Sequence, residues 1–211
     1  MPLIDVPTVH AVTDATILAD PGFKAKAASV FRALGRRGAI HLRAPAWPAA
    51  AIYELASALA PMQDETGGWL VINDRVDVGL AAAARGVQLR ETSLDVRDAL
   101  TAAHRTTGGL GRAICFGVSV HDANAARSAA AGGASWVMAG SVYATASHPG
   151  GQPQGEAFIQ EIATCGVPVI AIGGIQPSHS ERLRSLGAHG VAAIRGIWDT
   201  PDPARAAAAY L

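Results

Sequence analysis

The sequence has little charge and no excess of either sign. Only 16% of its 211 residues are charged, and 17 Lys and Arg residues balance 17 Asp and Glu residues. A balanced chain has no basic field that would attract nucleic acid or an acidic membrane surface, so we expect neither as a partner. The sequence also lacks any run approaching the ~20 apolar residues that a membrane-spanning helix needs. Half of the residues are hydrophobic, which is enough for a substantial core.

Cysteine is nearly absent. Cys115 and Cys165 lie inside apolar stretches and form no metal-type pair. They are typical of buried thiols in a reducing compartment, not of a disulfide framework. The N-terminal segment MPLIDVPTVH (1–10) has neither a basic start nor a long apolar region, so we expect no signal peptide and a cytoplasmic protein.

Short β-rich segments alternate with Ala-rich segments that carry apolar residues at the three- and four-residue spacing of amphipathic helices. The predicted strands span residues 8–13, 38–43, 69–73, 86–90, 113–119, 135–140, 167–173 and 190–195. Such alternation implies parallel strands joined by right-handed crossovers. Eight strands in one unbroken series predict an α/β fold, a single-domain (β/α)8 TIM barrel over residues 1–211. An open doubly wound sheet of six or seven strands is the alternative.

Polar residues collect where the predicted strands end, and in a (β/α)8 barrel that is the catalytic face. The residues concerned are Thr13, Asp14, Arg43, Asn73, Asp74, Arg75, Gln88, Arg90, Ser119, His121, Gly140, Ser141, Gly173, Gly174, Arg195 and Gly196. We therefore expect the site there.

The most specific local pair is AIGGI (171–175) followed by AAIRGI (192–197). Gly-Gly after a buried strand lets backbone N–H groups approach an anion, and barrels often bind phosphate between the loops after strands 7 and 8. Arg195 would add a charge-assisted hydrogen bond. The alternative is that the glycines only permit a tight turn.

Asp74 has several possible roles. It would hold a divalent cation, bind a substrate amine, or pair with Arg75 or Arg43, and the last role is favoured because one carboxylate is a poor Mg²⁺ site unless phosphates or another acid help. Metal binding by Asp74 is therefore expected only with a phosphorylated substrate.

Histidines are acid–base candidates because they titrate near neutrality. We single out His41, whose direction depends on strand register, and His148, in a Gly/Pro-rich loop that would close over a ligand. His121 is expected to cap the following helix. The remaining four histidines are expected to be peripheral: His10, His104, His179 and His189.

In their order and spacing, these motifs resemble the thiamine phosphate synthase and TenI superfamily over nearly the whole chain. The resemblance rests on AVTD (11–14), IHLR (40–43), VINDRVDVGLAAAARGVQL (71–89), FGVSVH (116–121), GSVYATASHPGGQPQG (140–155), AIGGIQP (171–177) and GAHGVAAIRGIW (187–198). It implies a (β/α)8 barrel that binds a thiazole phosphate. It also implies one of two activities. Synthases join an aminopyrimidine methyl pyrophosphate to thiazole phosphate with Mg²⁺, through pyrophosphate loss and a pyrimidine carbocation. TenI-type tautomerases aromatise a thiazole carboxylate phosphate by moving a proton, without metal.

The chain departs from the synthase pattern. Strand 2 of that pattern reads like QLR, an acid and Lys, whereas residues 41–45 read HLRAP. The second metal aspartate of an HLGQED-like run is replaced by Ser93 in QLRETS (88–93), and a loop lysine by His148. Asp74 remains without its partner, so most groups that would stabilise departing pyrophosphate are missing.

The segments RETSL (90–94) and SVH (119–121) resemble TenI-type sequences more closely. The tautomerase pattern, however, places a catalytic His directly after the Gly that ends strand 6, where this chain has Ser141. Another group must then move the proton, and His148 and His41 are the nearest candidates.

Our main hypothesis is therefore a TenI-like thiazole tautomerase without a cofactor. Its catalytic candidates are His148, His41 and Ser141, and its substrate- and phosphate-binding candidates are Arg43, Asn73, Asp74, Arg90, Gly173, Gly174, Arg195 and Gly196. The alternatives are a divergent synthase, in which Asp74 holds Mg²⁺, and a non-catalytic thiazole phosphate binder. The resemblance also leaves a homo-oligomer open.

Overall fold

Eight parallel strands form a closed barrel in this computed structural model, which describes residues 5–108, 114–145 and 150–211. The strands pair in chain order, and the eighth returns to the first. They are β1 (Val9–Val12), β2 (Gly38–Leu42), β3 (Trp69–Asn73), β4 (Gly86–Leu89), β5 (Cys115–Val120), β6 (Trp136–Ala139), β7 (Val169–Ile172) and β8 (Gly190–Ala193). The predicted barrel is confirmed, and the open sheet is wrong.

Helices connect successive strands on the outside of the barrel. They are α1 (Ala15–Leu18), α2 (Phe23–Leu34), α3 (Ala49–Leu59), α4 (Pro61–Thr66), α5 (Val76–Ala81), α6 (Val96–Thr107), α7 (Ala123–Gly132), α8 (Gly155–Ile162), α9 (Ser180–Ser185), α10 (Arg195–Trp198) and α11 (Pro203–Ala208). Short 3-10 turns span Gly35–Arg37 and Pro177–His179. Asp14, Asp95 and Asp122 begin helices by accepting a hydrogen bond from a backbone amide two or three residues later. In the described residues no helix has the length and hydropathy of a bilayer span.

The strands bury both faces, as parallel strands covered by helices do. In β2 the outward residues Ile40 and Leu42 pack against the helices, whereas Ala39 and His41 point toward the barrel axis. All five residues of this strand are buried. The sequence therefore carries no polar–apolar alternation here from which the register could be read.

The barrel interior contains large and polar side chains. The Trp136 indole is fully buried and meets Trp69 edge to face, with ring centroids 6.0 Å apart. Its N–H donates to Gln88 Oε1 (2.8 Å), and Gln88 Nε2 donates to Ser119 Oγ (3.1 Å). Gly117 faces the indole, where a larger residue has no room. The interior is thus filled below the catalytic face, and any ligand must bind at the mouth.

Neither cysteine is in a disulfide. Cys115 is buried inside the barrel and Cys165 is only partly buried. Burial raises the pKa of the Cys115 thiol. The expectation of a buried thiol holds for Cys115 and not for Cys165.

Candidate active site

A cavity of about 800 Å³ opens at the carboxyl ends of the strands. Eight of the predicted site residues line it: Arg43, Asn73, Arg90, Ser141, Gly173, Gly174, Arg195 and Gly196. Asp74 and His41 lie outside its lining. His148 lies outside the described residues. The predicted face therefore carries the cavity, and most of the predicted residues meet in it.

The loops after β6 and β7 pack tightly at one side of the cavity. The Val142 N–H donates to the Ile172 carbonyl and the Tyr143 N–H to the Gly173 carbonyl, both at 2.9 Å. Gly173 and Gly174 adopt φ values of +103° and +65°. A Cβ on Gly173 would stand 2.7 Å from Ser141 Cα, and one on Gly174 would stand 2.4 Å from the Ala144 carbonyl oxygen. Only glycine fits at either position, so the backbone itself forms the cavity wall.

The loop after β8 closes this corner. Arg195 and Gly196 begin α10 and line the cavity beside the two glycines. The first amides of a helix have no carbonyl one turn earlier to donate to, so they are directed at whatever lies before the helix. An arginine, helical amides and bare glycine backbone thus converge on one corner, an arrangement suited to a phosphate group. We call Gly173, Gly174, Arg195 and Gly196 the glycine corner.

Asp74 lies on the far side of the mouth and is largely shielded from solvent. Its Oδ2 pairs with Arg90 Nε, and its Oδ1 accepts from the Ser93 hydroxyl and from the Arg90 backbone N–H (3.1 Å). The expectation that Asp74 would pair with Arg75 or Arg43 is wrong. Arg75 instead pairs with Asp77, and this hydrogen-bonded guanidinium lowers the pKa of the Asp77 carboxyl.

The described residues do not fit a Mg²⁺ site at Asp74. Both oxygens of this carboxylate are already engaged by Arg90 and Ser93. The Ser93 hydroxyl brings no negative charge, and Mg²⁺ prefers carboxylate oxygens. In the described part of the chain no three His, Cys, Asp or Glu side chains converge.

His41 points into the barrel and is fully buried. Its Nε2 lies 2.8 Å from His10 Nδ1, and His10 Nε2 lies 2.9 Å from the Pro7 carbonyl. The carbonyl can only accept, so His10 carries its proton on Nε2 and accepts on Nδ1 from His41. His41 Nδ1 is left as a buried acceptor without a well-formed hydrogen bond, as is Asn73 Oδ1. As a proton-transfer group His41 stays a prediction, whereas the expectation that His10 is peripheral is wrong.

Both buried histidines are held neutral. Burial lowers the pKa of His10 to about 4, although its hydrogen bond to Pro7 opposes the shift. Burial, followed by repulsion from a charged His10, lowers the pKa of His41 well below its ordinary value, and the approach of the Asn73 side chain opposes this only weakly. The barrel interior therefore tolerates the pair only in the uncharged form.

The His10 pKa predicts that acid destabilises the fold. Below pH 6.5 the unfolded chain takes up a proton that native His10 refuses until about pH 4, so the free energy of unfolding falls as the pH falls through this window. From pH 7 to pH 5 we expect His10 alone to cost about 2 kcal/mol. Urea unfolding of wild type and His10→Gln at both pH values measures this cost, because the variant should lose less stability between them.

His104→Gln is the matched control, since His104 is exposed on α6. Its loss of stability between the two pH values should equal that of wild type. An identical loss in His10→Gln would contradict the assignment of the depressed pKa.

Among the residues that line the cavity, Glu91 and Tyr143 were not predicted at all, and His121 was placed at the end of strand 5 but not among the catalytic or binding candidates. His121 Nδ1 lies 2.7 Å from the Gly140 carbonyl, and its expected role as helix cap is wrong because Asp122 is the cap. The Tyr143 hydroxyl donates to Glu156 (2.9 Å), and burial together with this carboxylate raises the pKa of Tyr143 to about 12. The signal for His121 was available, because it continues the inward alternation of Gly117 and Ser119.

The comparisons with known proteins agree with this geometry. A family model described as thiamine monophosphate synthase matches residues 9–197. A thiamine-phosphate synthase of Roseiflexus castenholzii is 37% identical over 171 residues, which cover 80% of this chain and 72% of the relative. One from Salinispora arenicola is 37% identical over 161 residues, covering 75% and 74%. The solved thiamine phosphate pyrophosphorylase from Pyrococcus furiosus superposes with a TM-score of 0.79 at 25% identity, covering 96% of this chain and 93% of that one. The chain belongs to the thiamine monophosphate synthase family.

Proposed function

We propose that this protein is a thiamine-phosphate synthase, a transferase that joins an aminopyrimidine methyl diphosphate to a thiazole phosphate. The synthase was the alternative hypothesis from the sequence, and the names of its relatives support it more than they support the tautomerase. The observation that carries the proposal is the glycine corner in a cavity that also holds two further arginines, Arg43 and Arg90. Such a cavity has cationic groups for two phosphorylated substrates.

The two walls of the cavity suit different substrates. The glycine corner follows β7 and β8, whereas Arg43 and Arg90 follow β2 and β4, each of which lies three strands from β7 around the closed barrel. The corner would hold the thiazole phosphate through backbone amides and Arg195, and the two arginines would hold the diphosphate. The reacting carbon and the thiazole ring then meet between the walls, which supplies orientation.

The described residues give the tautomerase less support. That reaction needs a general acid–base group in the cavity, and His41 lies buried beneath it with a strongly lowered pKa. Ser141 lines the cavity, but an unactivated hydroxyl is a poor proton shuttle at neutral pH. His121 is the histidine that the described residues place in the cavity lining, with Nδ1 held on the Gly140 carbonyl. Tautomerase activity therefore remains the second candidate.

Two assays on the purified chain separate these functions. In the first, aminopyrimidine methyl diphosphate and thiazole phosphate are incubated with enzyme, and thiamine phosphate is measured by mass spectrometry with and without Mg²⁺. We expect product formation at least about a thousandfold above the enzyme-free rate, a threshold well below the roughly millionfold acceleration that most enzymes reach. In the second, proton NMR follows aromatisation of the thiazole carboxylate phosphate tautomer, which we expect to proceed at its uncatalysed rate.

If no thiamine phosphate forms either with or without Mg²⁺, the synthase proposal is wrong. Fast aromatisation together with that absence would establish the tautomerase instead. Tight binding of thiazole phosphate with neither product would leave the non-catalytic binder.

A further inference from the structure

Asp74, Arg90 and Ser93 form a closed set of contacts at the mouth of the barrel, which we call the Asp74 cluster. Arg90 holds the carboxylate twice, through Nε to Oδ2 and through its backbone N–H to Oδ1. The Ser93 hydroxyl donates to Oδ1. The Asp74 side chain is 19% exposed, whereas the Arg90 side chain is 57% exposed and lines the cavity. The carboxylate is therefore covered, and the guanidinium presents its remaining surface to the ligand space.

The backbone conformation at Asp74 directs its carboxylate toward the loop after β4. Asp74 adopts φ +62°, a left-handed conformation that residues other than glycine rarely take. Its N–H donates to the Gln88 carbonyl (2.9 Å), which locks the residue against the end of β4. Strained residues of this kind persist where the surrounding structure holds them, and they concentrate at functional sites. The contact between Asp74 and Arg90 is thus a fixed part of the mouth.

The Asp74 cluster has the same net charge as the metal site of the synthase pattern. In the synthase pattern that the sequence resembles, two carboxylates and a divalent cation add up to zero net charge. Here one carboxylate, one guanidinium and one neutral hydroxyl also add up to zero. Arg90 and Ser93 stand where that pattern has Gly and the second Asp, and both side chains meet on the surviving carboxylate. The gain of a cation at Arg90 and the loss of a carboxylate at Ser93 therefore leave the net charge at Asp74 the same as in the synthase pattern.

We infer that Arg90, oriented by Asp74 and Ser93, binds the diphosphate of the pyrimidine substrate in place of a divalent metal, so that the transfer needs no metal ion. The inference rests on the proposed synthase function. In the transfer, the C–O bond from the methylene carbon to diphosphate breaks and its electron pair leaves with the diphosphate. A lone pair of the thiazole forms the new bond to the same carbon.

The geometry suits a guanidinium to this role. A guanidinium carries five N–H groups, so pairing through Nε leaves others to donate to phosphate oxygens. Arg43, after β2, lines the same cavity and supplies a second cation. Donors that are already oriented stabilise the charge that develops on the leaving group without reorganisation.

The decisive experiment compares wild type with the double variant Arg90→Gly/Ser93→Asp, which restores a second carboxylate and removes the internal cation. Thiamine phosphate formation is measured in EDTA and in Mg²⁺, and Mn²⁺ binding is followed by electron paramagnetic resonance. Wild type should keep its rate in EDTA within about twofold and bind no Mn²⁺ at Asp74. The double variant should bind one Mn²⁺ per chain and require Mg²⁺ by about a hundredfold, as expected for losing one oriented charge donor. Wild-type activity that collapses in EDTA, with Mn²⁺ binding that Asp74→Asn removes, would overturn the inference and leave the synthase intact.

A second readout keeps the two proposals separable. In EDTA, inorganic pyrophosphate is titrated calorimetrically into wild type, Arg90→Ala and the matched control Arg75→Ala. Arg75 pairs with exposed Asp77, and neither residue is part of the cavity lining. Arg90→Ala should weaken binding by at least about tenfold, the loss of a charged hydrogen bond, while Arg75→Ala should match wild type. Equal weakening in both variants, or none, overturns the role of Arg90 even if no thiamine phosphate is ever formed.

Discussion

Gly117→Ala should cost more than ~3 kcal/mol of the free energy of unfolding, although it adds a single methyl group to a strand. The new Cβ would stand 2.0 Å from Trp136 Cε2 and 2.2 Å from Nε1, inside the body of the indole. The ring cannot move aside, because its N–H is held by Gln88 and Trp69 packs against it. Overpacking usually costs ~1–3 kcal/mol, and a clash with a rigid buried ring belongs at or above the upper end. Urea unfolding monitored by circular dichroism measures the change.

Gly86→Ala is the graded comparison, because its Cβ would meet the tip of the same indole at 3.0 Å. We expect that variant to lose about 1 kcal/mol. Should Gly117→Ala already prevent folding, the double variant Gly117→Ala/Trp136→Phe keeps the prediction measurable. It should fold although Gly117→Ala alone does not, and where both single variants fold it should be more stable than the sum of their losses implies, since the smaller ring makes room for the methyl group. Strict additivity would show that the two residues do not compete for this space.

The fold could be predicted because the helical and strand periodicities alternate without interruption. The predicted strand ends lie within two residues of those in the structure. The start of β7 differs by two, at Val169 and not at residue 167, because the preceding Pro168 has no N–H to pair. The glycine corner was predictable for a related reason. Gly-Gly followed by Arg-Gly at the ends of consecutive strands can only meet at one edge of a parallel barrel.

Two features of the site could not be predicted from the sequence: the direction of the His41 side chain and the partner of the Asp74 carboxylate. The direction of His41 follows from strand register, and a strand buried on both faces carries no alternation to reveal it. The partner of Asp74 depends on the left-handed backbone at that residue, which turns the carboxylate toward the loop after β4 and away from Arg75. The first feature was left open by the sequence and the second was predicted wrongly, and both depend on contacts between neighbouring strands that no pattern within one strand encodes.

Gly173→Ala should lower kcat/KM for thiazole phosphate by roughly a hundredfold while the barrel remains folded. The added Cβ would stand 2.7 Å from Ser141 Cα and Cβ, so the loops after β6 and β7 must separate and the backbone at the glycine corner must shift. A hydrogen bond to a charged group contributes ~1.5–3 kcal/mol, so losing one or two predicts a fall of this size. Steady-state rates of thiamine phosphate formation at varied thiazole phosphate measure it.

Gly166→Ala separates this effect from backbone strain, because Gly166 has the same φ of +103° but its Cβ would meet nothing closer than Ala130 Cβ at 4.0 Å. In both variants, placing an L-residue in the left-handed region should lower the free energy of unfolding by ~1–2 kcal/mol, yet only Gly173→Ala should lose activity. The thiazole alcohol, which lacks the phosphate, supplies the second comparison. Turnover of the alcohol should be alike in wild type and Gly173→Ala, because the corner acts on the phosphate. A parallel loss with both substrates would place the role of Gly173 in shaping the loop after β6, and the phosphate would then have to bind elsewhere in the cavity.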